Sequence, residues 1–161
     1  MIVACVGRRD LKRSESLYLE SVGLALIENG HSIASGNAPG SDQAFALGAS
    51  YLDPSKVTLY LPWSSFEKKA VIEGNVLHQV EEATAEHQDL ARRAHPAWDR
   101  LEPTVRRLMV RNAMIVKSSA VVIAFPDLTK PGLGGTGHAM RCALELGIPV
   151  WLLNEQRGWY G

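Results

Sequence analysis

The sequence is poor in cysteine, has no excess of either charge and contains no long apolar run. Its two cysteines, Cys5 and Cys142, form no Cys-x-x-Cys pair, which disfavours a disulfide scaffold or a zinc site and predicts buried thiols. Lysine plus arginine and aspartate plus glutamate each number 17, so a globally basic nucleic-acid binder is disfavoured, while a local basic patch stays open. The apolar start at residues 1–6 is too short for a signal peptide or a membrane span, and we expect a cytoplasmic protein without membrane contact.

What the chain does contain is an alternation of short apolar runs and amphipathic segments. Its 161 residues, 46% of them hydrophobic, are enough for one domain with a buried core. Because the runs are of the kind found in parallel sheets, they predict an α/β, Rossmann-like three-layer sandwich, with a mostly parallel sheet of about five strands and helices on both faces. We expect strands at residues 2–6, 31–35, 57–61, 120–125 and 148–153, and helices at 14–29, 43–50, 104–117 and 138–146.

One stretch breaks this alternation. Residues 64–103 are rich in charged side chains and sparse in apolar ones. We therefore predict a single domain over residues 1–161 with a charged helical insert at about 64–103, which covers one edge of the sheet with a helix and irregular chain. The histidines of the insert, His78, His87 and His95, do not share one helical face at their spacings and are expected to be solvated rather than metal ligands.

Three loops follow predicted strand ends, the place where ligands bind in open parallel sheets. They cover residues 7–10, 35–42 and 132–137, and the last two run into predicted helices. A helix N-terminus offers free backbone N–H groups, glycine admits close approach of an anion, and serine or threonine adds a hydroxyl donor. Glycines of this kind either make tight turns only or cradle phosphate, and two such turns in one sheet favour an anion or nucleotide site. Neither is a Walker P-loop, and no Gly-x-Gly-x-x-Gly follows the first strand, which disfavours a nicotinamide cofactor.

The candidate phosphate-binding residues come from these loops and from the helix ahead of the fourth strand. In that helix, Arg111 can contact phosphate with two nitrogens and Asn112 can read a base or hold a loop, although an arginine there can also be simply solvated. Trp63 follows the third strand and is the best candidate to stack on a base, whereas Trp151 is expected in the core. The full set is Gly7, Arg8, Arg9, Ser35, Gly36, Asn37, Gly40, Ser41, Asp42, Arg111, Asn112, Gly134, Gly135 and Thr136.

Four short motifs occur in a definite order along the chain. Residues 35–42, Ser-Gly-Asn-Ala-Pro-Gly-Ser-Asp, resemble the Ser-Gly-Gly-Ala-Arg-Gly-Ile-Asp loop of the DprA/Smf proteins. Arg-Asn at 111–112 resembles their Arg-Asn helix, and Gly-Gly-Thr at 134–136 resembles the later glycine turn of the wider DprA–LOG (SLOG) Rossmann superfamily. The start, Gly-Arg-Arg-Asp at 7–10, is similar to that of small stand-alone, YspA-like members. The resemblance implies a Rossmann-like fold that binds nucleotides, nucleotide-derived signals or, as in DprA, single-stranded DNA. The pocket residues that it implies are Gly36, Ser41, Asp42, Arg111, Asn112, Gly135 and Thr136.

The chain also departs from the pattern of this superfamily. Pro39 stands where the DprA loop has arginine, which removes one anion contact. Ala139 stands where LOG phosphoribohydrolases carry a glutamate three residues after threonine, so the resemblance implies no catalytic acid at that place. This departure weakens the hypothesis that the chain hydrolyses an N-glycosidic bond, although Asp10, Asp42 or His138 could still act as acid or base. Whether the chain is an enzyme, and which residues would be catalytic, stays open.

Four hypotheses of function follow. The first is binding of a nucleotide or nucleotide-derived ligand through the glycine-rich loops, with no cofactor and no metal. Alternatives are DprA-like binding of single-stranded DNA in recombination, hydrolysis of a nucleoside monophosphate at its N-glycosidic bond, and a partner-binding protein with a vestigial site. We also expect a homo-oligomer, because small Rossmann sheets often leave an apolar edge or helix face to pair. The DNA hypothesis needs a basic rim, for which the candidates are Arg8, Arg9, Lys12, Arg13, Arg106, Arg107 and Arg111.

Overall fold

The computed structural model describes residues 1–154 and 158–160, with the backbone alone for 154 and 158–160. Over these residues, seven strands form one sheet in the order β4-β3-β2-β1-β5-β6-β7. The first six are parallel to their neighbours, and β7 is antiparallel to β6. The strands are β1 (Ile2–Gly7), β2 (Ser32–Ser35), β3 (Val57–Leu61), β4 (Val76–Gln79), β5 (Val121–Phe125), β6 (Val150–Asn154) and β7 (Gly158–Tyr160).

Helices cover both faces of the sheet, which confirms the Rossmann-like three-layer sandwich. Leu19 and Phe45 pack on one face with the strand residue Ile33, and Leu90 and Ile115 pack on the other. These side chains are fully buried or nearly so, as expected where parallel strands are covered twice. The first face carries α1 (Arg13–Glu28) and α2 (Ser41–Leu52), and the second carries α3 (Ala85–Arg93), α4 (Pro103–Lys117) and α5 (Gly134–Leu146).

The strand order places a crevice at the carboxyl ends of β1 and β5. From β1 the chain adds strands outward to β4 and then returns through α4 to lay β5 on the other side of β1. The two central strands are in register over their whole length, from Val3 opposite Val121 to Gly7 opposite Phe125. In open sheets the ligand site lies where the strand order reverses in this way. The fold therefore predicts a ligand site at the loops after β1 and β5.

The charged insert contains a strand as well as a helix, which corrects the prediction of helix and irregular chain. Strand β4 pairs in parallel with β3, with Leu77 opposite Leu59, and extends the sheet by one strand. Val76 and Leu77 are 40% and 46% exposed, so this short edge strand buries too little apolar surface to leave a clear pattern in the sequence. The predicted insert helix is α3, which packs against α4.

Both helices after glycine-rich loops begin earlier than predicted. Helix α2 starts at Ser41 and not at residue 43, with Gly40 at its N-cap. Helix α5 starts at Gly134 and not at residue 138, so Gly135 and Thr136 lie in its first turn. Gly40 has φ 87°, and a Cβ there would lie 2.1 Å from the carbonyl oxygen of Arg9, so only glycine fits this crossing of two loops.

Two glycines let α1 and α2 cross at very short distance. A Cβ on Gly48 would lie 1.8 Å from the carbonyl oxygen of Glu20, and one on Gly23 would lie 2.1 Å from that of Phe45. The atoms that a side chain would meet belong to the backbone, which cannot rotate away. The contact between these helices therefore depends on the absence of side chains at both positions.

We expect Gly48→Ala to lower the free energy of unfolding by about 3 kcal/mol, because the helices must separate to admit the methyl group. Gly135→Ala is the matched control: Gly135 is also helical, but a Cβ there meets no atom within 4 Å. That variant should keep its stability or gain a few tenths of a kcal/mol from the better helix propensity of alanine. Denaturant titration measures both, and equal midpoints for the two variants would contradict the close helix contact.

Candidate functional site

A cleft of about 210 Å³ opens at the carboxyl ends of β1 and β5, between the first loop, α2, α4 and the first turn of α5. Seven of the fourteen candidate residues line it. Their neighbours in the wall are apolar and were not predicted from the sequence: Val6, Ala38, Leu108, Met109 and Ala139. The candidates in the cleft are Gly7, Arg9, Asp42, Arg111, Asn112, Gly135 and Thr136. The other candidates are not among its lining residues: Arg8, Ser35, Gly36, Asn37, Gly40, Ser41 and Gly134.

The hydroxyl groups of the 35–42 loop are used to fasten the loop to β1. Ser35 Oγ donates to the Cys5 carbonyl at 2.6 Å, and Ser41 Oγ donates to the Arg8 carbonyl at 2.7 Å. The backbone N–H of Ser41 also donates to the Arg8 carbonyl, at 3.1 Å. Donors that the sequence offers to a ligand are thus satisfied within the protein, and this loop shapes the cleft rather than supplying its hydroxyls.

Asn37 and Arg8 also make contacts away from the cleft. Asn37 has φ 58°, and its Nδ2 donates to the Glu67 carbonyl at 3.0 Å, which ties the loop after β3 to the loop before α2. The guanidinium of Arg8 pairs with Glu15 of α1 and stacks over the Phe125 ring at 4.7 Å. An arginine whose charge is already paired adds little to the attraction of a further anion.

Both tryptophan predictions differ from the structure. Trp63, expected to stack on a base, packs edge-on against Phe66, with ring centroids 5.3 Å apart, and belongs to the border of the core. Trp151, expected in the core, is 47% exposed on β6, because that strand lies near the edge of the sheet. Neither ring lines the cleft.

Arg111 and Asp42 flank Gly36 beneath the cleft. Arg111 is 5% exposed, and its Nη1 donates to the Gly36 carbonyl at 2.6 Å. A Cβ on Gly36 would lie 2.5 Å from this nitrogen and 2.9 Å from Oδ2 of Asp42, so the glycine is required by close approach of both side chains. Oδ2 of Asp42 accepts a hydrogen bond from the Ala38 N–H at 3.3 Å. The buried cation and the buried carboxylate therefore lie on either side of one peptide.

A chain of hydrogen bonds continues from Arg111 across three helices. Its Nε donates to Oδ1 of Asn112 at 3.1 Å, and Nδ2 of Asn112 lies 3.3 Å from both the Gly135 carbonyl and Nδ1 of His138. Nε2 of His138 lies 2.9 Å from the Ala91 carbonyl of α3. A carbonyl only accepts, so Nε2 carries the proton and Nδ1 accepts from Asn112. This network fixes the 35–42 loop, the start of α5 and the insert helix relative to one another. The fully buried His138 has a hydrogen-bond partner at each ring nitrogen, so its role here is structural.

Three donors remain free to meet a ligand in the cleft. Thr136 is 8% exposed, and its hydroxyl makes no hydrogen bond with the residues described. Arg9 is exposed at the rim and makes no ion pair with any residue that the structure describes. Arg111 keeps Nη2 after Nη1 and Nε are engaged. Together with the first N–H groups of α5, which have no acceptor inside the helix, these groups suit one oxyanion.

The buried titratable groups have shifted pKa values with identifiable causes. Burial raises the pKa of Asp42 to about 6, although the charge of Arg111 and the N–H groups of Ala38 and Gly36 pull it down. Burial lowers the pKa of Arg111 from its ordinary value, and Asp42 opposes that effect. Burial also lowers the pKa of His138 to about 4, so its ring is neutral at pH 7, as the hydrogen bonds to Asn112 and Ala91 require.

Asp42 and His138 should shift stability in opposite directions as the pH changes. The raised pKa of Asp42 gives stability that is present below its unfolded pKa of 3.8 and is lost as the pH rises through about 6. The lowered pKa of His138 gives stability that is present above its unfolded pKa of 6.5 and is lost as the pH falls through about 4. Each contribution amounts to about 3 kcal/mol at its full extent.

The free energy of unfolding of wild type minus that of Asp42→Asn should therefore be about 3 kcal/mol larger at about pH 4 than at about pH 7. For His138→Gln the difference from wild type should be larger near about pH 7 by a similar amount. Urea unfolding at several pH values measures both, and taking differences from wild type cancels the other titrating groups. Differences that do not change with pH would contradict the burial of these two side chains.

No protein-family model matches the chain, and no curated protein matches it. A solved structure of DNA processing protein A from Helicobacter pylori, described for its single-stranded DNA binding mode, is similar to it with a TM-score of 0.68 and 21% sequence identity. The likeness covers 96% of this chain, which spans 65% of the length of that one. At this identity the likeness shows a shared fold, here a DprA-like one. Among the described residues, no helix is long and apolar enough to cross a membrane, and no three metal-ligating side chains form a group.

Proposed function

We propose that the chain binds single-stranded DNA by holding a phosphate group of the strand in the cleft. The observation that carries this proposal is the convergence of free donors there: the Thr136 hydroxyl, the start of α5 and the guanidinium of Arg9 at the rim. The likeness to DNA processing protein A over nearly the whole chain supports DNA as the source of that phosphate. Binding in recombination, placement in the cytoplasm, oligomerisation and membership of the SLOG superfamily belong to the same proposal.

The composition of the cleft points to recognition of the backbone and not of bases. No aromatic side chain of the residues that the structure describes lines the cleft, so these residues offer no platform on which a base could stack. The chain has no net charge, and Arg8 and Arg107 of the predicted basic rim are paired with Glu15 and Glu81. We therefore expect contact with few phosphates, and a slope of log K against log salt of about −1 to −2.

Fluorescence anisotropy with a labelled oligodeoxythymidine tests the proposal. Binding that weakens with salt at the shallow slope above is the expected result. The same titration with a duplex should give weaker binding, because a paired end is too bulky to enter a cleft of about 210 Å³. No change in anisotropy with any oligonucleotide, at low salt and high protein concentration, would overturn the proposal.

A nucleotide or nucleotide-derived ligand is the second candidate, and the small size of the cleft favours it. A volume of about 210 Å³ behind a single rim accommodates a phosphate of a mononucleotide as well as that of a strand. Competition separates the two, because a mononucleotide that binds as tightly as the oligonucleotide would show that the strand adds nothing. Hydrolysis of the N-glycosidic bond has less support. Ala139, 1% exposed, lines the wall at the position where LOG phosphoribohydrolases, which the sequence resembles, have glutamate.

A further inference from the structure

The cleft is small, with a buried floor and an exposed entrance. Asp42, Arg111 and Thr136 are 6%, 5% and 8% exposed, whereas Arg9 and Gly135 are exposed at the entrance. An internal phosphodiester that reached this floor would have to bring its strand in and out through the same entrance. A terminal phosphate needs the strand to enter only once, so the shape of the cleft suits an end better than the middle of a strand.

The cleft combines two cations with one carboxylate. Arg9 and Arg111 line it together with Asp42, and no side chain among the described residues donates a hydrogen bond to that carboxylate. A carboxylate beside a bound phosphate repels it unless a proton lies between them. The carboxylate therefore selects among phosphates according to whether they can carry a proton.

Monoesters and diesters of phosphate differ in this respect. A phosphomonoester has a second pKa of about 6, so it takes up a proton near neutral pH and can donate it to a carboxylate. With that proton shared, the phosphate and Asp42 together carry two negative charges, which balance the two arginines beside a helix N-terminus. A phosphodiester carries one negative charge and no proton. An ionised Asp42 therefore repels it, and the diester can contact Asp42 only when the carboxyl group is protonated.

From the shape of the cleft and the place of Asp42, we propose that the cleft takes the terminal phosphomonoester of a DNA strand and not an internal phosphodiester. This inference rests on the proposed binding of single-stranded DNA and narrows its ligand to the strand end. Arg9 and the N-terminus of α5 hold the phosphate oxygens, and Asp42 shares a proton with one of them.

The test compares one oligodeoxythymidine in four forms: with a 5′-phosphate, with a 3′-phosphate, without a terminal phosphate, and circularised. The circle has the same number of phosphates as the linear 5′-phosphorylated strand, so the two differ in a free end and in its monoester. We expect at least one phosphorylated end to bind about tenfold more tightly than both the unphosphorylated and the circular strand. Each strand carries its fluorophore on an internal base, and affinity is measured by anisotropy with the full chain.

Asp42→Asn is the variant that isolates the carboxylate. It keeps the shape and an acceptor for the Ala38 N–H, and it removes the charge that repels a diester. The circular strand should bind this variant more tightly than it binds wild type, and the preference for the phosphorylated end should fall to about threefold or less. An unchanged preference in Asp42→Asn would contradict the role of the carboxylate.

The outcomes separate this inference from the function on which it rests. Equal affinity for all four strands would overturn the terminal-phosphate inference and leave DNA binding in place. Absence of binding by every strand would overturn both. Deoxythymidine monophosphate serves as a further probe: if it competes as strongly as the phosphorylated strand does, the phosphomonoester is confirmed as the bound group and a strand end is contradicted as its source.

Discussion

Replacing Arg9 by alanine should weaken the binding of single-stranded DNA by about tenfold to a hundredfold, the value of one hydrogen bond to a charged group. Arg9 lies at the rim of the cleft, is exposed and makes no ion pair with the described residues, so its charge is available to a phosphate. For the same reason its removal should leave the free energy of unfolding within about 0.5 kcal/mol of wild type. Anisotropy titration and urea unfolding of the same preparation measure the two quantities.

Arg100→Ala is the matched control for this variant. Arg100 is an exposed arginine of the insert that does not line the cleft, and its loss changes the net charge by the same amount. It should reduce affinity by no more than about twofold, because exposed charges far from the site are screened. Equal losses of affinity for the two variants would show that Arg9 acts only through overall charge and would contradict the cleft as the binding site.

Replacing Arg111 by methionine should lower the free energy of unfolding by about 3–5 kcal/mol, the cost of leaving one member of a buried charged pair alone. The guanidinium is 5% exposed and donates to Gly36 and Asn112. Without it, Asp42 has lost the nearby cation that favours its charged form, and the two glycine turns have lost their connection. Denaturant unfolding at neutral pH measures the loss.

A double-mutant cycle with Asp42→Asn tests the cause of this loss. If the buried carboxylate is responsible, the double variant should recover about half or more of the stability that Arg111→Met loses. Recovery should also grow weaker as the pH falls toward the unfolded Asp42 pKa of 3.8, because the carboxyl group is then protonated in the folded and the unfolded single variant alike. Losses that simply add would assign the effect to the hydrogen bonds of Arg111 alone.

Much of the fold could be predicted from the sequence because parallel strands covered on both faces are continuous apolar runs. The strand at Val57–Leu61 has the predicted bounds, and those at Ile2–Gly7 and Val121–Phe125 differ by one residue at one end. Strand β4 was missed because an edge strand with half-exposed Val76 and Leu77 leaves no such run. Glycines at 134 and 135 indicated a loop, yet they begin α5, because glycine propensity does not decide where packing places a helix N-terminus.

The site was predicted in part, and the limits have a physical cause. Glycine-rich turns and the pair Arg111–Asn112 mark the loops that surround the cleft, since their residue types are those an anion needs. The sequence does not show which donors are already satisfied: Ser41 bonds to the Arg8 carbonyl, whereas the Thr136 hydroxyl stays free. The apolar wall was missed because Leu108 and its neighbours on α4 have the pattern of any amphipathic helix.

The most direct test of the central claim is a backbone-amide NMR titration of the labelled protein with a short phosphorylated oligodeoxythymidine. Binding in the cleft predicts that the largest shift changes fall on Gly135 and Thr136 at the start of α5 and on Arg9 at the rim. The amides of the exposed face of α3 should not move. Shift changes that centre on α3 or on the edge strand β4, with the α5 turn unaffected, would contradict the cleft as the place where a phosphate binds.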